Sequence, residues 1–280
     1  LYFTTVEGEK KTEVPNPKMT LLDPVPMFTR FDIGYHYPAY LRWKDETIAN
    51  VKNPKIEAIR GTRVTLTAHA NRPIREASLR FPEVAKLIPG EGIPGKPQSI
   101  RFELPPLDRD GEAQLWFSPS TVEKRSETVA IKIAVRPDNA PEVRITKPEK
   151  PEIELPANAS LSVDGFATDD YGVKSMTLKM KLVSPVPQEL ADRPYREGKD
   201  FLRAKDKSYP IRVDYKDTQK LPELKTADGK PVELKGGEVL EYWLEALDNC
   251  DVPPAPHKGE SQRQRVKILP PKKDDPNQQK

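Results

Sequence analysis

Cysteine is almost missing from this chain. Its 280 residues hold one, Cys250, beside three histidines. A lone cysteine excludes a disulfide within the chain and any site built from several thiolates. With His36, His69 and His257 scattered along the sequence, zinc ligation finds no support in the spacing either. Long apolar runs are missing too, so no membrane-spanning helix or signal peptide is read. The chain opens on Leu1-Tyr2-Phe3 rather than methionine. These residues read as native or as a cleavage-tag remnant, and any membrane association is expected only through segments outside this chain. No charge of one sign dominates: 46 basic and 43 acidic side chains nearly cancel. They are interspersed, which leaves no basic stripe for nucleic acid. Residues 90–96, GEGIPGK, lack the GK[ST] ending and the strand-to-helix setting of a phosphate cradle.

Proline is plentiful, at 31 residues. That is roughly twice its usual ~5% share. Because proline cannot donate to a central ladder, its abundance implies many turns, strand starts and stiff connections. Between those breaks the chain alternates. Leu161 and Val163 lead into an Asp-Asp-Tyr-Gly turn, and Met176, Leu178 and Met180 leave it. Val64, Leu66, Ala68 and Ala70 lead into Asn71-Arg72-Pro73, and Ala77, Leu79 and Phe81 follow. Period-two alternation places one side-chain set on a core, so each half reads as two neighbouring strands of one sandwich sheet. The expected architecture is all-β: two tandem immunoglobulin-like β-sandwich domains with an extended N-terminal segment.

Residues 1–30 form the extended lead-in, with Met19, Leu21 and Leu22 placed to cover an edge. The first sandwich spans 31–135. Phe31, Ile33, Tyr35 and Tyr37 make an edge strand stopped by Pro38. Asp110-Gly111 carries a hairpin signal. The short, proline-bounded connection 136–141 favours a restrained orientation of the domains. The second sandwich spans 141–269, with a charged insertion at 184–208. There, residues 188–193 suit a short helix, and Tyr195 and Phe201 suit pins to the body. Asp228-Gly229 is a second turn. In residues 238–248, both faces are apolar enough for a central strand, although Leu and Glu also suit a helix. Residues 270–280 form a polar tail, disordered or the start of a linker.

One candidate site follows from geometry. In an immunoglobulin-like sandwich the incoming linker and two of the loops meet at one end. Here they carry Asp138, Asn139, Asp169, Asp170, Asp248, Asn249 and Asp251. Such oxygens suit weakly bound calcium at the inter-domain junction, on the order of 0.1 to 1 mM. Without metal, the same residues serve as turn caps. The string DNAP looks like the calcium-bound junction of cadherin-type repeats, but no matching glutamates are identifiable in the first domain, and its equivalent turn carries Arg72. Tyr40, Trp43 and Tyr171 are candidate partner-binding aromatics, with packing against the sandwich as the other reading. Trp116 and Trp243 are assigned to the core. Cys250 lacks a visible base with an orienting partner, so no catalytic residue is assigned. Asn158-Ala159-Ser160 matches a glycosylation acceptor only in a secreted eukaryotic setting.

YHYPAY at 35–40 and AIRGTRVTLTAHANRPIREASLRF at 58–81 resemble the extracytoplasmic region of a large family of planctomycete-type, membrane-anchored bacterial envelope proteins. DNAPEVRI, ATDDYGVKSMTLKMKL and EVLEYWLEALDNC extend the likeness through the second unit. The resemblance implies a periplasmic or cell-surface location. It also implies a non-enzymatic structural or binding module of a larger protein, partnered by another envelope protein or a polysaccharide. The alternative is a carbohydrate- or protein-binding accessory region of a larger envelope enzyme.

Overall fold

The computed structural model describes residues 2–7, 10–15, 25–81, 86–119, 125–199, 201–203 and 205–272, with backbone alone for 2–7, 10–15, 86, 197 and 198. The expected edge cover at Met19, Leu21 and Leu22 lies outside the described residues, as does most of the expected tail. Near the start, β1 (Tyr2–Glu7) and β2 (Lys10–Pro15) pair as an antiparallel hairpin.

The first sandwich comprises β3 (Phe28–His36), β4 (Glu46–Val51), β5 (Lys55–Ile59), β6 (Arg63–Ala70), β7 (Glu76–Phe81), β8 (Lys86–Pro89), β9 (Glu91–Ile93), β10 (Lys96–Leu104), β11 (Gly111–Ser118) and β12 (Val129–Arg136). One sheet runs β4-β3-β6-β10-β9 and the other β5-β12-β11-β7-β8. Alternation does the sorting: β6 turns Val64, Leu66, Ala68 and Ala70 inward, and β11 turns Ala113, Leu115 and Phe117 to meet them. Each large side chain so buried contributes ~1.5–3 kcal/mol.

The second sandwich repeats the plan with β13 (Glu142–Lys147), β14 (Glu152–Pro156), β15 (Ser160–Thr168), β16 (Val173–Ser184), β17 (Gln188–Glu189), β18 (Arg193–Pro194), β19 (Arg212–Lys220), β20 (Val239–Asp248), β21 (Lys258–Glu260) and β22 (Gln264–Leu269). Its sheets run β13-β15-β19 and β14-β22-β20-β16-β17. In both units a short strand pairs in parallel with the last one: β5 with β12, and β14 with β22. The first strand of each sandwich pairs antiparallel in the opposite sheet, β3 with β6 and β13 with β15. This division of the first strand between two sheets, with the same order around it, makes both units immunoglobulin-like. Strand β20 lies between β16 and β22 and is buried on both faces, as expected of 238–248.

Several local expectations are corrected. The paired runs do not neighbour each other in one sheet. β6 and β7 lie in opposite sheets, as do β15 and β16, because the polar turn between them arches across the sandwich. The connection at Asp110-Gly111 also crosses between sheets and forms no hairpin; Asp110 instead accepts the Val135 backbone N–H at 2.6 Å. Strand β3 is not an edge, since β4, an exposed strand without alternation, pairs along its outer side. Residues 188–193 are not helical. They add the short pairings β17 and β18 to β16, and the helical turn follows at Tyr195–Gly198. Tyr195 and Phe201 do pin that insertion, ring to ring, with Tyr195 also against Tyr215. Trp243 is buried, but Trp116 stands half-buried on the outer face of β11 beneath Arg125, because its neighbours Leu115 and Phe117 take the core side.

Candidate functional site

The two sandwiches meet through a small apolar joint. Between β3 and β4 the chain makes a helical turn, Ala39–Leu41, which leans on the linker end of the second sandwich. Tyr40 and Leu41 pack with Ile59 and Cys250, and Tyr37, Tyr171 and Val252 close the rim. Asn249 Nδ2 donates to the Tyr40 carbonyl at 3.2 Å. Tyr171 meets both Tyr40 and Trp43 edge to face. Of the three aromatics read as partner contacts, Tyr40 is therefore enclosed within the protein, Tyr171 folds over the joint, and Trp43 remains 47% exposed.

Beneath this joint lies a buried polar cluster drawn from the linker and the loop after β20. Asp248, at the end of β20, is fully enclosed. Its Oδ1 accepts the backbone N–H groups of Cys250 and His257, at 3.2 and 2.9 Å. Its Oδ2 lies 2.6 Å from His257 Nδ1. One carboxylate thus pins both ends of the proline-rich loop and orients the imidazole. Sequence reasoning saw no orienting partner for His257; Asp248 is that partner, nine residues upstream.

Asp138, in the linker, is 8% exposed, and among the described residues neither of its carboxylate oxygens has a hydrogen-bond partner. The Tyr40 hydroxyl and the Cys250 thiol lie close enough to influence its ionisation, but neither forms a well-shaped hydrogen bond to it. Burial pushes the Asp138 carboxyl upward, with the Asp248 charge adding to the effect. Asp169, in the turn between β15 and β16, accepts the N–H groups of Tyr171 and Gly172 on Oδ1 while Oδ2 is buried without a partner. Burial raises its pKa to about 6 against those two N–H groups, and the charges of Asp138 and Asp248 push the same way. The Tyr40 hydroxyl and Asn249 Oδ1 are further buried atoms without partners. Buried polar groups are rarely left so.

One donor atom from each of Asp138, Asp248, Cys250 and His257 lies within 4.8 Å of every other. The seven residues read as a calcium cluster therefore divide. Asp138 and Asp248 converge, with Asp169 beside them. Asn139, Asp170 and Asp251 are exposed, and Asn139 reaches Asp170 at 3.5 Å on the rim of an open groove of about 490 Å³. Asn249 spends its amide N–H on the Tyr40 carbonyl. The cysteine and the histidine, set aside in the sequence for want of an orienting partner, complete the set instead.

A second arrangement lies on the outer face of the first sandwich. Asp32, His69 and Ser99, on adjacent strands β3, β6 and β10, form a chain in which His69 Nε2 is 2.9 Å from Asp32 and Nδ1 is 2.8 Å from Ser99. Ser99 is itself buried and Asp32 also accepts the Asn50 N–H, so the chain acts as a tie across three strands. Asn158, of the glycosylation triplet, exchanges hydrogen bonds with the backbone of Lys272.

No protein-family model matches the chain, and no curated protein matches it in sequence. Solved structures similar to it are tandem immunoglobulin domains. The Dpr2 Ig1-Ig2 structure, determined in complex with DIP-Theta, aligns over 88% of this chain and 100% of its own at 6% identity, with a TM-score of 0.29. The N-terminal Ig1-2 module of the Drosophila receptor protein tyrosine phosphatase DLAR aligns over 88% and 99% at 8% identity, with a TM-score of 0.27. A titin Ig tandem aligns over 88% and 97% at 8% identity, with a TM-score of 0.25. Superpositions this loose carry no argument about this chain, whose fold assignment rests on its own strand order.

Proposed function

We propose that this chain is a non-enzymatic structural or binding module of a bacterial cell envelope, part of a larger protein, in which two sandwiches act as one stiff unit. The observation that carries this reading is the closed joint: Tyr40 and Leu41 of one sandwich are buried against Cys250 of the other, and Asn249 hydrogen-bonds across. A flexible tether would leave those side chains in water. The envelope setting rests on the sequence resemblance, and with it the periplasmic or cell-surface location and a partner that is another envelope protein or a polysaccharide. Among the described residues no helix is long and apolar enough to cross a membrane. The state of Cys250 favours a non-catalytic role. Its thiol is pushed up to about 11 by burial, with Asp138 and Asp248 adding to the effect, the opposite of an activated nucleophile.

Small-angle scattering together with NMR relaxation tests the stiff unit. One shared rotational correlation time for both sandwiches, and a scattering curve matched by a single arrangement, is the expected result. Separate tumbling would end this reading.

A further inference from the structure

We propose that Asp138, Asp248, Cys250 and His257 form a binding site for one thiophilic divalent cation of the zinc class, which locks the linker to the loop after β20 beneath the inter-domain joint. The donor set decides the class of ion. One thiolate sulfur and one imidazole nitrogen with two carboxylate oxygens suit zinc and its neighbours, whereas calcium takes six to eight oxygens. The mutual separation of the donors, within 4.8 Å, suits a single ion. A tetrahedral zinc with ordinary bond lengths sets its ligands roughly 3.3 to 3.6 Å apart. The His257 Nδ1–Asp248 Oδ2 pair, now at 2.6 Å, would part by about 0.7 Å to reach that spacing.

The observation that points to a ligand, beyond the clustering itself, is Asp138. Its carboxylate is more than nine-tenths buried, both its oxygens lack a partner among the described residues, and it lies among the three other donors. A carboxylate held this way is costly without a counter-charge, and a dication supplies one. Charges and protons balance: the ion displaces the Cys250 thiol proton to solvent, the proton between His257 Nδ1 and Asp248 Oδ2 passes to His257 Nε2 so that Nδ1 is free to ligate, and three anionic donors with a neutral imidazole around a dication leave the site at minus one. The Tyr40 hydroxyl, also without a partner and beside Asp138, is placed to donate to whichever carboxylate oxygen the ion leaves free. The site does not depend on the envelope reading, because it rests on the linker and loop alone.

Cobalt(II), a spectroscopic substitute for zinc, is the probe. The full chain, stripped with a chelator, is expected to bind one cobalt per chain. The bound ion should show a sulfur-to-cobalt charge-transfer band and the strong visible bands of a tetrahedral site, and zinc should displace it. Cys250→Ser should abolish the charge-transfer band and weaken binding by more than about 100-fold, beyond what changes outside the ligand shell cost. Asp138→Asn guards against a variant that fails to fold. Without metal it should melt at or above the wild-type temperature, since an unpartnered buried charge is removed, yet zinc should no longer raise its melting temperature. Asp251→Asn should bind as wild type does. The proposal is overturned by absence of stoichiometric binding, by a charge-transfer band that persists in Cys250→Ser, or by stabilisation from calcium with no cobalt spectrum.

Discussion

The two sandwiches share a strand order and differ at the same corner. In the first, the turn after β6 starts at Asn71, whose side-chain amide donates to the Val25 carbonyl and whose side-chain oxygen accepts the Met27 N–H. That corner faces solvent and staples an incoming strand. In the second, the turn after β15 is closed by Asp169, which takes two N–H groups on one oxygen and leaves the other buried and unmatched near Asp138. The comparison separates what the fold needs from what it does not. An Asn or Asp side chain that starts the turn and takes backbone N–H groups is common to both units; capping of the turn itself and a carboxylate oxygen buried without a partner belong to the one at the joint. The joint itself is an addition to the first unit. Its strand β3 and strand β5 are separated by the turn bearing Tyr40 and by β4, whereas a short bend of residues 148–151 joins β13 to β14 in the second.

The sharpest way to break this comparison is at Gly259. A Cβ built there meets the Pro141 carbonyl oxygen at 1.9 Å and its carbon at 2.8 Å, both backbone atoms of the linker. Gly259→Ala should cost about 3 kcal/mol, at the upper end for overpacking. Denaturant melts followed by hydrogen exchange should show the loss in the second sandwich while β6, β10 and β11 keep their protection. Loss spread evenly over both units would mean that they unfold as one.

Next in size is pH. The carboxyls of Asp138 and Asp169 hold their protons more tightly folded than unfolded, so the folded state binds more protons above the ordinary aspartate range, for Asp169 up to about 6. Stability, measured with metal chelated, should therefore fall as pH rises through that window and level off above it. For Asp169, a shift from 3.8 to about 6 sets a ceiling of about 3 kcal/mol. Asp169→Asn keeps the accepting oxygen for Tyr171 and Gly172, removes the charge, and should flatten the profile while raising the neutral-pH melting temperature. Asn71→Ala, the same corner in the other unit, should instead lose about 1 to 2 kcal/mol with no pH dependence, as two hydrogen bonds go. Opposite signs at equivalent positions would sharpen the contrast; equal signs would erase it. The smallest expected effect on stability is that of Trp43→Ala, below about 1 kcal/mol for a half-exposed ring, with both sandwiches intact. Its reading is in tumbling: loss of the contact with Tyr171 should loosen the joint and separate the two correlation times.

Much of this fold was legible because alternation is a local signal. Leu161 and Val163, or Val64 and Leu66, announce a strand with one buried face from the sequence alone. Which sheet a strand joins is not local. The arches after β6 and β15 and the crossing at Asp110-Gly111 depend on where distant strands lie, and an Asp-Gly pair looks the same in a hairpin and in a crossing. The outer face of β11 deceived for a similar reason: Trp116 is the largest apolar side chain there, but the register set by Ala113, Leu115 and Phe117 puts it outside. At the joint, three acids were visible because acids in end loops are expected to gather. Cys250 and His257 show no orienting partner in the sequence, because Asp248 lies nine residues before the imidazole and a loop with three prolines intervenes. Only the fold-back onto Asp248 reveals that the loop is a closed ring rather than a spacer.

The parallel pairings β5 with β12 and β14 with β22 have a mechanical consequence. Each joins a strand near the start of its sandwich to the last strand. Tension applied along the chain on either side of a sandwich pulls these two strands in opposite directions along their length, so the ladder's bonds are loaded together in shear instead of being peeled one at a time. Resistance to such pulling is set by the rate of unfolding, not by equilibrium stability. A chain of this design can hold two points under load at a fixed spacing even if its thermal stability is ordinary.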